Sequence, residues 1–168
     1  MHIHVFTTGG TIDKVYFDAR SDYEIGDPQI VDILGDVGVA AEVEVETLLR
    51  KDSLDLTDAD RALIAERVRA ASSPRILITH GTDTMTATAQ ALGDAGDKTV
   101  VLVGSLSPAR FKGSDAEFNI GFALAAVQTL PPGVYVAMNG LVFPAEGVRK
   151  NRPANRFEGE PYQVPVSA

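Results

Sequence analysis

Thr7-Thr8-Gly9-Gly10-Thr11-Ile12-Asp13 and Thr79-His80-Gly81-Thr82-Asp83-Thr84-Met85 are the stretches of this chain whose residue types could do chemistry. Each follows a short apolar run, Ile3 to Phe6 in the first case and Arg75-Ile76-Leu77-Ile78 in the second. Each sets threonine hydroxyls beside glycine, whose missing Cβ lets backbone N–H groups approach a ligand closely. The second adds the Asp83 carboxylate. Hydroxyls, backbone donors and an acid suit nucleophilic attack on a small polar carbonyl compound, with the N–H groups meeting the oxygen that gains charge. Phosphate chemistry fits less well. The first loop lacks the third glycine of a dinucleotide fingerprint, and neither loop carries the Gly-Lys-Ser/Thr of a P-loop.

Taken singly, each loop also has a purely structural reading. Gly-Gly-Thr can be a tight turn that Thr11 caps. Thr82-Asp83 can be the N-cap and first-turn acid of a helix. His80 reads as a hydrogen-bonded strand-end histidine and is given no catalytic role. His2, His4 and His80 show no metal spacing beyond His2-x-His4, which reads as one face of an edge or end strand. The chain has no cysteine, which removes disulfides, thiolate nucleophiles and Cys-based metal sites. No metal is expected.

The elements that must position these loops alternate along the chain. Apolar runs predict strands at Ile3–Phe6, Ala41–Thr47, Arg75–Ile78, Thr99–Val103 and Val134–Met138. Helices are predicted over Pro28–Gly35, Thr57–Ala71, Thr82–Ala95 and Ser114–Thr129. The second opens on a capping signal, with Thr57 three residues before Asp60, and carries Leu63, Ile64 and Val68 as its apolar stripe. This alternation predicts an α/β fold, a mostly parallel sheet with helices on both faces. Right-handed crossovers then bring every strand-to-helix loop to one edge, Gly104-Ser105-Leu106-Ser107-Pro108 included. The stretch from Gly147 to Ala168 has no periodicity and is expected to wrap the surface or dock onto another copy.

At 168 residues and 45% apolar composition, the expectation is a single domain over 1–168. A formal charge of −8 disfavours nucleic acid, whose phosphates need clustered Lys and Arg, and disfavours an anionic membrane surface. The N-terminus has no basic region ahead of an apolar one, and no stretch approaches membrane-span length. A cytoplasmic location is the expectation.

Read together, the two loops resemble the signature motifs of the bacterial-type (type I/II) L-asparaginase family, Thr8-Gly9-Gly10-Thr11-Ile12 and His80-Gly81-Thr82-Asp83-Thr84. Three further segments extend the resemblance. Ser21-Asp22-Tyr23-Glu24-Ile25-Gly26 resembles the flap that carries the family's catalytic tyrosine, placed at Tyr23 with Tyr16 as second candidate. Asp52-Ser53-Leu54-Asp55-Leu56-Thr57 resembles the substrate-binding segment, and Gly147-Val148-Arg149-Lys150-Asn151 the stretch that supplies the catalytic lysine, Lys150. The resemblance covers nearly the whole chain but only the family's N-terminal domain, without its smaller C-terminal one.

The resemblance implies hydrolysis of L-asparagine to L-aspartate and ammonia through a threonine acyl-enzyme, with no cofactor. It assigns catalysis to Thr11, Tyr23, Thr82, Asp83 and Lys150, and leaves open which threonine attacks first. Lys150 serves as a base only in its neutral form. Gly10, Asp52, Ser53, Gly81, Thr82 and Asp83 are implied to cradle the substrate, with N–H groups near Thr82 at a helix N-terminus meeting the oxyanion. The expected partner is a small-molecule substrate, in a homo-oligomer (dimer or tetramer). Glutamine or another small amide is the alternative substrate. The family's relatives that make ammonia for tRNA-bound glutamate share these motifs. A catalytically inactive amino-acid-binding module is the alternative from outside enzymology.

Overall fold

The computed structural model describes residues 1–17 and 22–164. In chain order the strands of its central sheet are β1 (His2–Thr7), β4 (Glu42–Thr47), β5 (Arg75–Thr79), β6 (Thr99–Val103), β7 (Gly133–Met138) and β8 (Leu141–Pro144). A hairpin of β2 (Lys14–Phe17) and β3 (Asp22–Ile25) stands apart from that sheet. The six sheet strands lie in the order β4-β1-β5-β6-β7-β8, all parallel except β8, which turns back antiparallel along β7.

The central strands are apolar because both of their faces are covered. Ile76, Leu77 and Ile78 of β5 and Val100 to Val103 of β6 are fully buried. Successive side chains on a strand point to opposite faces, so a run without exposed members requires helices on both sides. Each such side chain contributes about 2 kcal/mol relative to exposure. The helices are α1 (Gln29–Asp36), α2 (Asp58–Ala70), α3 (Met85–Leu92) and α4 (Ala116–Thr129). The capping signal ahead of α2 is realised: Thr57 Oγ1 accepts the Asp60 N–H at 3.2 Å, and Asp60 Oδ2 accepts the Thr57 N–H at 2.8 Å. Ile64 and Val68 are buried beneath it, while Leu63 is exposed.

Several expectations are corrected. β1 is an interior strand, one in from the β4 edge, so the His2-x-His4 face belongs neither to an edge nor to an end strand. Helix α3 starts at Met85 and not at Thr82, because the Thr84 hydroxyl donates to the Ser53 carbonyl at 2.6 Å and holds Thr82–Thr84 in a turn. Helix α4 starts at Ala116. The Asp115 carboxylate ahead of it accepts the Leu106 and Ser107 N–H groups at 3.0–3.1 Å and pins the loop after β6.

The described part of the stretch from Gly147 packs on its own fold. Strands β9 (Arg149–Asn151) and β10 (Arg156–Glu158) form an antiparallel hairpin, and the Tyr162 N–H donates to the Val142 carbonyl of β8 at 2.7 Å. Ser21, expected at the head of the flap, and the last residues of that stretch, 165–168, lie outside the described residues.

Candidate active site

Three segments meet backbone to backbone at glycines, and this contact defines the site. Gly9 and Gly10, after β1, have φ of +91° and +99°, a conformation that disfavours any side chain. A Cβ on Gly10 would lie 2.4 Å from the Cα and N of Gly81, after β5. A Cβ on Gly81 would lie 2.7 Å from both Cβ and Oγ of Ser53, on the segment after β4, and one on Gly9 would lie 2.6 Å from the Lys51 carbonyl. Only glycine permits these approaches. Hydrogen bonds then fix the register of the loops: the Thr8 N–H and Oγ1 both donate to the Thr79 carbonyl, at 3.1 and 2.9 Å, and the Lys51 N–H donates to the Thr8 carbonyl at 3.1 Å.

Thr82, 4% exposed, presents its hydroxyl to Lys150. Lys150 Nζ donates to Thr82 Oγ1 at 2.6 Å and to Asp83 Oδ1 at 2.8 Å. The lysine side chain is only 7% exposed. Its position comes from the β9–β10 hairpin, where Lys150 pairs with Phe157, a residue buried in the core. Both contacts use the ammonium as donor. The neutral amine could instead accept the Thr82 proton, so the arrangement can serve as an electrostatic clamp or as a proton path. The helix dipole contributes less than expected here, since α3 begins three residues beyond Thr82.

Ser53 is 2% exposed and caught between Gly81 and the Thr84 hydroxyl. Beside it, Asp52 Oδ1 accepts the Leu54 N–H at 3.1 Å and Oδ2 pairs with Lys14 Nζ at 2.7 Å. Burial pushes the Asp52 carboxyl up, but the Lys14 ammonium and the backbone N–H bonds outweigh it and hold it below the usual range. His80 is fully buried. Its Nδ1 faces the Gly81 carbonyl at 2.7 Å and its Nε2 faces Thr88 Oγ1 at 2.8 Å. A carbonyl only accepts, so Nδ1 carries the proton and Nε2 accepts from Thr88. Burial lowers the His80 imidazole to about 4, leaving it neutral and structural.

Thr11 opens a short 3₁₀ turn, Thr11–Asp13, and is half-buried. Its hydroxyl makes no hydrogen bond among the described residues. Tyr23 sits on β3 of the hairpin, 46% exposed, opposite Tyr16. The two rings lie 5.6 Å apart, and the Tyr23 ring lies 6.0 Å from that of Phe111. No hydrogen bond links Tyr23 to Thr11. Gly10, Ser53, Gly81, Thr82, Asp83 and Lys150 are therefore brought together, Asp52 borders them, and Tyr23 stands on a separate hairpin.

Sequence reasoning missed Lys14, Phe111 and Arg152. Arg152 Nη2 reaches the Asp83 carbonyl at 3.4 Å and its Nε lies 3.9 Å from Asp83 Oδ1. A basic residue two positions after Lys150 was the available signal. Among the described residues, no group of three His, Cys, Asp or Glu side chains could hold a metal ion. Nor is any described helix long and apolar enough to cross a membrane.

Comparison with known proteins matches residues 2–159 to the family model for the asparaginase N-terminal region. The Haemophilus influenzae protein named "Probable L-asparaginase periplasmic" is 32% identical over 160 residues, which is 89% of this chain and 46% of that protein. A glutaminase-asparaginase from Acinetobacter glutaminasificans is 34% identical over 129 residues, 73% of this chain and 38% of that one. The solved structure of the thermostable L-asparaginase from Thermococcus kodakarensis superposes with a TM-score of 0.85 at 30% identity, covering 97% of this chain and 52% of that one. The chain thus spans about half the length of the relatives it matches.

Proposed function

The chain belongs to the asparaginase family, matched over that family's N-terminal region, and from this membership we propose that it is a threonine-dependent amidohydrolase acting on free L-asparagine. The contact of Lys150 Nζ with Thr82 Oγ1 and Asp83 Oδ1, beside the Gly10–Gly81 apposition, supports the reading most strongly.

In this reading the Thr11 hydroxyl attacks the side-chain amide carbon, and the carbonyl oxygen takes up the negative charge. Backbone N–H groups about Thr82 stabilise that oxyanion. The proton given up by the Thr11 hydroxyl passes to the amide nitrogen, which leaves as ammonia, and an ester joins the aspartyl group to Thr11. Water then attacks the ester carbon, releasing aspartate and returning a proton to Thr11. Tyr23 reaches Thr11 when the hairpin moves over the bound substrate, while Thr82, Lys150 and Asp83 relay protons from the opposite side. Ser53 and Asp83 take the substrate's α-carboxylate and α-ammonium, with Gly10, Asp52 and Gly81 shaping the cradle.

A homo-oligomer, dimer or tetramer, is part of the proposal. Phe118 is exposed, stacks on Phe122 at 6.2 Å and lies against Gly140, the kind of apolar surface that association covers. Light scattering on the purified protein reads that state directly.

The functional test is ammonia release from L-asparagine by the purified chain alone, with L-glutamine beside it because the Acinetobacter relative is a glutaminase-asparaginase. Release from asparagine is expected. No release from either amide, with the protein still stabilised against heat by aspartate, would replace this reading by that of an amino-acid-binding module.

A further inference from the structure

Asp13 is a buried carboxylate for which the proposed chemistry has no use. It is 2% exposed and stands two residues after Thr11, at a junction of three parts of the site. Its N–H donates to the Gly10 carbonyl at 3.1 Å, closing the turn that carries Thr11. Its carbonyl accepts the Gly26 N–H at 2.8 Å, at the foot of the β2–β3 hairpin. Its Oδ1 accepts the Gln29 N–H, the first amide of α1, at 2.8 Å.

The same junction extends to the loop after β6. The Ala109 N–H donates to the Ile12 carbonyl at 3.1 Å, and Arg110 Nε donates to Gln29 Oε1 at 2.9 Å. Among the described residues, the charged groups nearest along these elements are already engaged elsewhere. Arg50, after β4, pairs with Asp27 at the hairpin foot at 3.0 Å; Lys14, next along the chain, is engaged by Asp52 at 2.7 Å; Arg110 reaches it only through Gln29.

We propose that Asp13 is a positioning residue whose charge sets how readily the Thr11 turn and the foot of the Tyr23 hairpin open together. A buried carboxylate that receives a single described hydrogen bond is poorly solvated, so its charged form favours any motion that exposes it. Burial pushes Asp13 up to about 6, against the opposing pull of the Gln29 N–H and Arg50. The sign follows from linkage. A carboxyl raised in the closed state stabilises closure at low pH, and that stabilisation is lost as pH rises through about 6. The junction is latched in acid and openable at neutral pH, when the hairpin must admit a substrate. Only the consequence for turnover rests on the amidohydrolase reading.

Hydrogen exchange, corrected for intrinsic rates, tests the latch without needing turnover. In the wild type, protection of residues 10–16 and 22–31 is expected to fall about ten-fold between pH 5 and pH 7.5. Asp13→Asn, which keeps an acceptor but no charge, is expected to stay protected throughout and to gain about 5 °C in Tm at pH 8, a gain that vanishes near pH 4. Should that variant not fold, Arg50→Ala at an exposed position moves the transition upward by about 0.3 pH unit. In ammonia release, the wild-type acid limb near pH 6 is absent from Asp13→Asn.

Wild-type protection that does not change with pH overturns the proposal, as does an Asp13→Asn variant with wild-type behaviour or an Arg50→Ala transition that stays in place. A protein that releases ammonia from no amide, yet shows the exchange transition, would break the amidohydrolase reading and leave the latch standing.

Discussion

The glycine-lined cradle and the tyrosine hairpin are built in opposite ways. In the cradle, Ser53, Thr82 and the Lys150 side chain are almost wholly buried, and the Ser53 carbonyl, the Thr82 hydroxyl and the Lys150 ammonium each meet a partner within 3 Å. On the hairpin, Tyr16 and Tyr23 are about half exposed, their rings pack on each other, the Tyr23 ring packs on Phe111, and neither makes a side-chain hydrogen bond among the described residues. Preorganised donors cost no rearrangement when charge develops, so they belong where the oxyanion forms. A group that must let substrate in and product out cannot be fixed in the same way. The division predicts that cradle substitutions cost stability or chemistry outright, whereas substitutions on and around the hairpin cost activity without stability.

The largest effect should come from Thr11, which stands between the two regions. Thr11→Ala is expected to lower ammonia release by about 10³-fold or more with little change in Tm, because the hydroxyl has no described partner in the free protein. Gly10→Ala tests the rigidity of the cradle. A methyl placed 2.4 Å from Gly81 at a φ of +99° should cost about 3 kcal/mol or more in denaturant unfolding and abolish activity. Gly113→Ala is the control: its φ of +78° is also positive but its surroundings are open, so about 1 kcal/mol is expected.

Lys150→Met keeps the stem and removes the ammonium, and kcat should fall by about 10²-fold in a steady-state assay. Tyr23→Phe should lower kcat by about ten-fold without moving Tm. Phe111→Ala, removing the ring on which Tyr23 rests, should raise KM by about three-fold and leave kcat nearly intact. A large loss of stability from Tyr23→Phe or from Phe111→Ala would erase the contrast between the regions.

Much of the cradle was legible because its signals are local. Gly9, Gly10 and Gly81 follow apolar strands directly, and the parallel topology that those strands imply brings their ends together. The reach of Lys150 to Thr82 was not legible from pattern, since it depends on strands of three residues that are too short to show a period. Family resemblance supplied that residue, and the hairpin supplies the reason it arrives. The helix expected to open at Thr82 opens at Met85 because the competing bond, Thr84 to the Ser53 carbonyl, joins segments 31 residues apart. The Lys14–Asp52 ion pair escaped for the same reason. Nothing in the sequence pattern sets Asp13 apart; its burial against α1 does.

The proposed reaction passes through a covalent ester at Thr11. Wild-type protein mixed with excess L-asparagine, quenched in acid within milliseconds and digested for peptide mass mapping, tests this directly. An aspartyl adduct is expected on the peptide that contains Thr11, absent from Thr11→Ala. An adduct on the Thr82 peptide alone, persisting in Thr11→Ala, would contradict it.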